Sequence, residues 1–272
     1  MKSAIVIKPI ATLYEKDSKE SAVADEVLFG MSVDIISSQG DNWYYVKTQY
    51  NYKGFINVED VSIVDSELLK FCKYDICQVK VSFADILVED NIKSKTIITI
   101  PRGSYIYITG KMSKNGLWNE VILKPGSFGW IKRSFLRYVD FTIRKGEDEL
   151  RENIVQSAMS YLGTQYRWGG KTPMGIDCSG LCSMAYMLND INIYRDAKID
   201  SNFPIRETEI IKIKKGDLIY FPGHMAMYIG GGRYIHASDD NNVVMINSFN
   251  KESSIYKENL ANSILCAGSY FY

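Results

Sequence analysis

Two neighbouring stretches decide how this chain is read: Tyr166-Arg167-Trp168-Gly169-Gly170 and, a few residues on, Gly175-Ile176-Asp177-Cys178-Ser179-Gly180. After them Leu181, Met184, Ala185 and Leu188 recur at helical spacing. A glycine-rich loop therefore turns into a helix at Cys178. The first turn of a helix has backbone N–H groups without intrahelical partners and carries the positive end of the macrodipole. A thiol there has its thiolate favoured, and the thiolate is the nucleophilic form. With a reference pKa of about 8.5, a cysteine is only a few per cent ionised at neutral pH, so activation by a base is still needed. Cys182, one turn later, lacks that position and reads as a buried small hydrophobe, as do Cys72, Cys77 and Cys266.

The bases stand downstream. The chain has two histidines, His224 and His236. Lys214 to Phe221 reads as a turn and a strand, and Pro222-Gly223 breaks it. His224 to Ile229 reads as the next strand, Gly230-Gly231-Gly232 as a turn, and Arg233 to Ser238 as the returning strand. With the turn centred on Gly231, the two histidines share one face of an antiparallel hairpin; a turn shifted by one residue puts them on opposite faces. A cysteine at a helix start beside a histidine on a strand forms a nucleophile–base pair, and a second histidine can fix the first ring's orientation and tautomer. A single histidine would read as an ordinary polar residue of a half-exposed strand. Both histidines following the cysteine motif favour the catalytic reading. A metal site of two His and one Cys is the weaker alternative, because a thiol at a helix start is better arranged as a nucleophile; no metal or cofactor is expected.

N-terminal to this region a helix is expected, with Asp148 as N-cap, an apolar stripe of Leu150, Ile154, Ala158 and Leu162, and Gly163 at C′. Arg144-Lys145-Gly146-Glu147 reads as the hinge into it. Before residue 141 the composition shifts to short β-branched and aromatic runs broken by Gly, Asn and Asp. Two stretches there are alike: Trp43-Tyr44-Tyr45-Val46 with Gly54-Phe55-Ile56, and Trp118-Asn119-Glu120-Val121 with Gly129-Trp130-Ile131. The glycine follows the tryptophan by 11 residues in both, and a glycine-marked turn, at Gly30 and at Gly103, precedes each. Self-similarity of this kind implies two copies of one small β unit, joined by the segment from Asp65 to Tyr74.

The 272 residues suit two or three compact units. With 32 Lys and Arg against 32 Asp and Glu, the chain lacks the positive balance that phosphate-backbone binding uses, so nucleic acid is not an expected partner. No run approaches the roughly 20 apolar residues of a bilayer span. The apolar stretch Ala4 to Ile7 is shorter than the roughly 7–15 residues of a signal-peptide core. Five sparse cysteines do not form a disulfide framework. A cytoplasmic location is therefore expected, or a secreted or periplasmic one if a leader has been removed.

The pattern Gly…Trp-x-x-Val…Gly-aromatic-Ile resembles the bacterial SH3-like barrel. Tyr166-x-Trp168-Gly169-Gly170, Asp177-Cys178-Ser179-Gly180, Gly216-Asp217-Leu218, Gly223-His224 through Tyr228-Ile229-Gly230, and Ile235-His236-Ala237-Ser238 together resemble the NlpC-type cysteine peptidases, a papain-like family acting on peptidoglycan peptides. The ordered match covers nearly all of residues 150–270, whereas Asp-Cys-Ser-Gly alone would be a weak signal. The fold so implied is α+β: a papain-like peptidase domain at 142–272, preceded by two SH3-like β-barrels at 1–66 and 67–141. The resemblance makes Cys178 the nucleophile, His224 the general base and His236 its orienting partner. The barrels narrow the likeness to the γ-D-glutamyl-L-diamino acid endopeptidases. These cut peptidoglycan-derived peptides with a free N-terminal L-Ala and release L-Ala-γ-D-Glu. In them residues matching Tyr166, Trp168, Asp177 and Ser179 line the substrate groove, and the first barrel partly closes it.

A carboxylate beside the nucleophile opposes thiolate formation. Asp177 therefore reads either as a helix cap or, by resemblance, as a ligand of the substrate's ammonium, assisted by an acid and a tyrosine from the first barrel, for which Glu20 and Tyr52 are the candidates. Arg195-Asp196-Ala197 resembles the family's segment after the catalytic helix, with Asp200 near the place of an expected Gln. Tyr166 and Trp168 could also pack beneath the loop, and Gly169 and Gly170 serve close backbone approach. The rivals are a secreted D,L-endopeptidase acting on intact wall and a non-catalytic wall-binding protein using the barrels alone. No obligate protein partner is expected.

Overall fold

The computed structural model describes residues 2–64, 74–124, 126–139 and 146–272. The chain divides into two units, Met1–Asp140 and Phe141–Tyr272. The expected boundaries at 66/67 and 141/142, most of the joining segment from Asp65 to Tyr74, Arg144-Lys145 and Cys72 lie outside the described residues.

The first unit holds two sheets built from the two sequence copies. Strands β1 (Lys2–Val6), β2 (Ile10–Tyr14), β3 (Val23–Leu28), β4 (Ser32–Gln39), β5 (Trp43–Thr48), β6 (Lys53–Asn57) and β7 (Val61–Ile63) form the first. Strands β8 (Asp75–Val79), β9 (Phe83–Leu87), β10 (Thr96–Pro101), β11 (Tyr105–Met112), β12 (Trp118–Lys124), β13 (Ser127–Lys132) and β14 (Leu136–Tyr138) form the second. Their orders are β3-β2-β6-β5-β4-β1-β7 and β10-β9-β13-β12-β11-β8-β14, the same topology twice. The repeated tryptophans, Trp43 and Trp118, open β5 and β12, and the repeated glycines, Gly54 and Gly129, lie in β6 and β13. Each glycine sits where another residue's side chain would strike a neighbouring strand: a Cβ on Gly54 would lie 3.0 Å from that of Leu13, and one on Gly129 2.4 Å from Ile86. The strand pairing runs open from one edge to the other in both copies, so it establishes sheets and not the closed barrels expected.

The two copies are locked at one turn. Phe29 leaves β3 and enters the core of the second sheet among Ile86, Ile100 and Ile106. Its carbonyl accepts the Tyr105 N–H at 2.8 Å. Gly30 follows at φ +77°, with no room for a side chain: a Cβ would lie 2.0 Å from the Tyr105 carbonyl oxygen. Glycine supplies both the left-handed backbone and the close approach.

The second unit is α+β. Helix α1 (Glu147–Met159) and helix α2 (Cys178–Met187) pack together, and α2 also packs on a six-stranded antiparallel sheet. Its strands are β17 (Arg206–Thr208), β18 (Leu218–Phe221), β19 (His224–Gly230), β20 (Arg233–Ser238), β21 (Val243–Ser248) and β22 (Cys266–Ser269), in the order β17-β22-β18-β19-β20-β21. A small hairpin of β15 (Lys171–Thr172) and β16 (Gly175–Ile176) precedes α2, and a short helix α3 (Glu258–Ala261) follows β21. All ten residues of α2 are buried, which its apolar composition allows on every face.

The α1 expectation needs three corrections. Gly146, not Asp148, is the N-cap, and the acids Glu147, Asp148 and Glu149 occupy the first turn, where they complement the dipole. The helix ends at Met159, so Leu162 lies beyond it and is half exposed, while Tyr161 fills the core instead. Gly163, at φ +81°, turns the chain towards β21, its N–H bonding the Val244 carbonyl, and is not the C′ residue. Arg151 fastens α1 to the sheet. Its guanidinium donates to Asp217 at 2.8 Å and to the Lys215 carbonyl at 2.8 Å, and Ser269 Oγ also donates to Asp217 at 2.7 Å.

Gly30→Ala is expected to destabilise the first unit by about 3 kcal/mol or more, from strain plus a backbone clash. Gly40→Ala has the same sign of φ but open space around it, and should cost only about 1 kcal/mol. Urea midpoints of the two variants check this; equal midpoints would remove the locking role of Gly30.

Candidate active site

The tip of α2 is built around one carboxylate. Asp177 is the N-cap in extended backbone (φ −91°, ψ 178°). Its Oδ1 accepts the Gly180 N–H at 2.6 Å and the Ser179 hydroxyl at 3.2 Å, and its Oδ2 accepts the Gly169 N–H at 2.8 Å. The loop and the helix start are thus tied to one side chain. Glycines make this possible: a Cβ on Gly170 would lie 2.5 Å from the Gly175 oxygen, and one on Gly180 2.2 Å from the Gly170 oxygen. The close-approach expectation for Gly170 is met.

Arg195 completes the cluster. It is 2% exposed, and its two terminal nitrogens donate to Asp177 Oδ1 and Oδ2, each at 2.9 Å. The same Nη1 reaches Ser179 Oγ at 2.7 Å. A carboxylate offers roughly four lone-pair sites, and Asp177 already takes five donors. The cation it holds in this structure is Arg195. The capping reading of Asp177 is the one the geometry carries. Asp200 accepts the N–H and the side-chain amide of Asn202, both at 2.9 Å, and so closes its own turn.

Cys178 follows as the first residue of α2, 7% exposed. The backbone N–H groups of Met225 and Ser179 point at its sulfur. Met225 is the neighbour of His224, so the thiol faces the start of β19. The hairpin register is that of a turn centred on Gly231, with Tyr228 opposite Tyr234 and Met227 opposite Ile235. Continued along the strands, it puts His224 and His236 on one face as diagonal neighbours. The rings meet there: His224 Nε2 lies 2.9 Å from His236 Nδ1. His236 Nε2 lies in turn 2.8 Å from Oδ1 of Asn247, on β21. Asn247 was not singled out from the sequence; its only signal is its place two residues beyond the partner of His236 in the next strand, Met245.

The remaining groove candidates are spread. The Tyr166 hydroxyl is pushed up in pKa by burial and by the nearby Cys178 and Asp177, which places it at the site. Trp168 is 68% exposed, so it does not pack beneath the loop. Ser179 is buried and engaged with Asp177 and Arg195. Glu20, on the exposed turn after β2, and Tyr52, half-buried before β6, belong to the first unit. Cys182 is fully buried, as expected of a packing residue.

Burial governs the protonation states. It pushes the Cys178 thiol up to about 11, with the Asp177 charge adding to the rise, while Arg195 and the two N–H groups work against it. Burial, and then the neighbouring His236, pull His224 down to about 4. His236 is lowered too, mainly by burial. The resting couple near neutral pH is thus thiol and imidazole, not thiolate and imidazolium. The dipole advantage expected for the thiolate is outweighed by desolvation. Iodoacetamide alkylation of Cys178, followed by mass spectrometry, should quicken steadily from about pH 7 to about pH 10. A plateau already reached below neutrality would show a preformed ion pair. For stability, the sign follows from the lowered histidines: as pH falls from 6.5 to about 4 the unfolded chain binds more protons than the folded one, so the fold weakens. The melting temperature should drop across that window, and less so in a His224→Gln/His236→Gln protein.

Residues 163–262 match the NlpC/P60 family. Dipeptidyl-peptidase 6 of Lysinibacillus sphaericus is 42% identical over 272 residues, covering 99% of this chain and 100% of that one. A γ-D-glutamyl-L-lysine dipeptidyl-peptidase of Bacillus cereus is 23% identical over 232 residues, covering 78% of this chain and 66% of the relative. The crystal structure of an NlpC/P60 family protein from Bacillus cereus superposes with a TM-score of 0.82 at 19% identity, over 99% of this chain and all of that one, and so shares the fold. A thiol at a helix tip that takes the N–H of Met225, next in sequence to one of two linked histidines, in a chain related end to end to a dipeptidyl-peptidase, places this protein in the NlpC/P60 family.

Proposed function

We propose that this chain is a cysteine endopeptidase that hydrolyses the γ-D-Glu–L-diamino acid bond of peptidoglycan peptides with a free N-terminal L-Ala, releasing L-Ala-γ-D-Glu. The observation that carries the reading is the full-length relationship, at 42% identity, to a dipeptidyl-peptidase, joined to a buried thiol bonded by the N–H of Met225, the residue after the first of two linked histidines. In this reading the two sheets of the first unit are SH3-like modules, supported by their shared strand order, and the second unit is papain-like.

The chemistry follows from the neutral resting couple. His224 takes the Cys178 proton as the sulfur attacks the γ-carbonyl carbon of D-Glu. The C–S bond forms and the carbonyl π electrons move to oxygen. The oxyanion is met by the N–H of Cys178, which as the first helical amide has no intrahelical partner. Collapse of the tetrahedral species breaks the C–N bond, and the departing amine of the diamino acid takes the proton from His224. Water, deprotonated by the same ring, then cleaves the thioester and restores the thiol. A histidine held low in pKa stays available as a base well into acid, and it returns its proton readily once charged.

Tyr166 and Trp168 line the groove beside this couple, and Arg195 offsets part of the Asp177 charge next to it. Selection of a free amine rests on the relationship to dipeptidyl-peptidases, with Asp177, Glu20 and Tyr52 as its proposed contacts.

Cys178→Ala is expected to abolish release of L-Ala-γ-D-Glu from L-Ala-γ-D-Glu-diaminopimelate or its lysine counterpart, followed by mass spectrometry. Undiminished turnover would remove Cys178 as nucleophile. Acetylating the N-terminal alanine should lower kcat/KM by about 100-fold, the effect of leaving a charged recognition group unpaired. Equal rates for the free and blocked peptides would favour an endopeptidase acting on intact wall.

A further inference from the structure

We infer that Asn247 is a positioning residue for the reaction: acting through His236, it determines which nitrogen of His224 is left bare to receive the thiol proton. The inference rests on the peptidase reading above, and it is carried by a chain of hydrogen bonds that leaves one arrangement of protons.

The chain is fixed at its far end. Asn247 is 1% exposed, and its Nδ2 donates to the Ile255 carbonyl at 2.9 Å. That carbonyl can only accept, so the amide cannot be turned over without setting oxygen against oxygen. Oδ1 therefore faces His236, at 2.8 Å from Nε2. An amide oxygen can only accept, so Nε2 of His236 carries the hydrogen. In a neutral imidazole the other nitrogen is then bare. His236 Nδ1 must accept, and the group 2.9 Å away, His224 Nε2, must donate. The remaining nitrogen of His224, Nδ1, holds the lone pair. Each step follows from the preceding one, and all four groups lie on adjoining strands or on the loop that returns to β21. The Ile255 carbonyl is itself held by the Ser248 N–H at 3.0 Å, so the anchor does not drift.

Asparagine suits this place for an electrostatic reason. An aspartate would also accept from His236, but it would lose the donor to the Ile255 carbonyl, and its charge would favour the imidazolium form of the pair. The amide orients without adding charge, which keeps both rings neutral and His224 free to act as a base. The charged and titratable groups facing the two rings are Tyr234 on β20, Asp239 and Asp240 from the turn after it, and Lys257 before α3. Among the described residues, the hydrogen bonds at the ring nitrogens come from the two histidines and Asn247.

The test uses the whole chain with nitrogen-15 in its two histidines. Wild-type protein near neutral pH should show both rings protonated at Nε2. Asn247→Leu keeps the volume and removes the acceptor; His236 should lose its single tautomer, and kcat should fall about tenfold or more with KM within about twofold. Asn247→Asp keeps the acceptor, so the Nε2–H forms should persist, while the acidic limb of kcat/KM moves up by about one pH unit or more. A purely structural asparagine would move neither the tautomers nor the pH profile. Unchanged tautomers with kcat within about twofold in Asn247→Leu would overturn the inference. So would an Asn247→Asp profile that superposes on wild type, and this arm stands if the leucine variant does not fold. Tautomers that respond to Asn247 in a protein with no γ-D-glutamyl hydrolase activity would uphold this inference and sink the proposed function instead.

Discussion

The ion pair between Asp177 and Arg195 is the constraint on which the rest of the site depends. Burying a carboxylate and a guanidinium is costly, and the cost is offset only when both are well paired and their remaining capacity is used. Here Asp177 takes five donors, from the loop at Gly169, from Gly180 and Ser179 at the helix tip, and from both arms of Arg195. One side chain thereby joins the loop, the helix tip and the segment at Arg195. Cys178 is held between them with its backbone N–H at the open end of α2. Arg195 offsets part of the effect of the Asp177 charge on the thiol, which still raises the Cys178 pKa.

The second requirement is a base that stays uncharged. Enclosure by α2 and the strands below it lowers both imidazoles and raises the thiol. The couple is therefore poised for proton transfer during attack and does not rest as an ion pair. Its geometry comes from sheet register. A bulge between Tyr228 and Gly230 closes the hairpin so that the histidines become diagonal neighbours, and β21 then brings Asn247 beneath His236. The Gly216-Asp217-Leu218 motif has a structural explanation in the same sheet, because Asp217 receives Arg151 and Ser269 and so binds α1 to the start of β18.

In the first unit the physics is one of shape. Two copies of the same strand order stand side by side, and Phe29 from one is part of the core of the other. Gly30 is at once the conformational hinge of that crossing and the place where the two backbones come nearest. Small β units of this size bury little apolar area alone, and sharing a core residue raises what each buries.

Much of this was legible from residue order alone, because local patterns have local causes. The helix start at Cys178, the strands carrying His224 and His236 and the repeated β unit follow from glycine placement and helical spacing, which act over a few residues, whereas the shared face of those histidines waited on the hairpin register. The ends of α1 were misread, since Tyr161 was chosen for the core over Leu162 by packing that the spacing does not record. The partner of Asp177 is visible only in three dimensions: Arg195, 18 residues away, donates to both of its oxygens. Asn247 was invisible for the same reason, being one asparagine among many until strand pairing set it against His236. The protonation states also belong to the tertiary structure, because desolvation depends on how completely the assembled chain excludes water, a quantity that no single stretch of sequence contains.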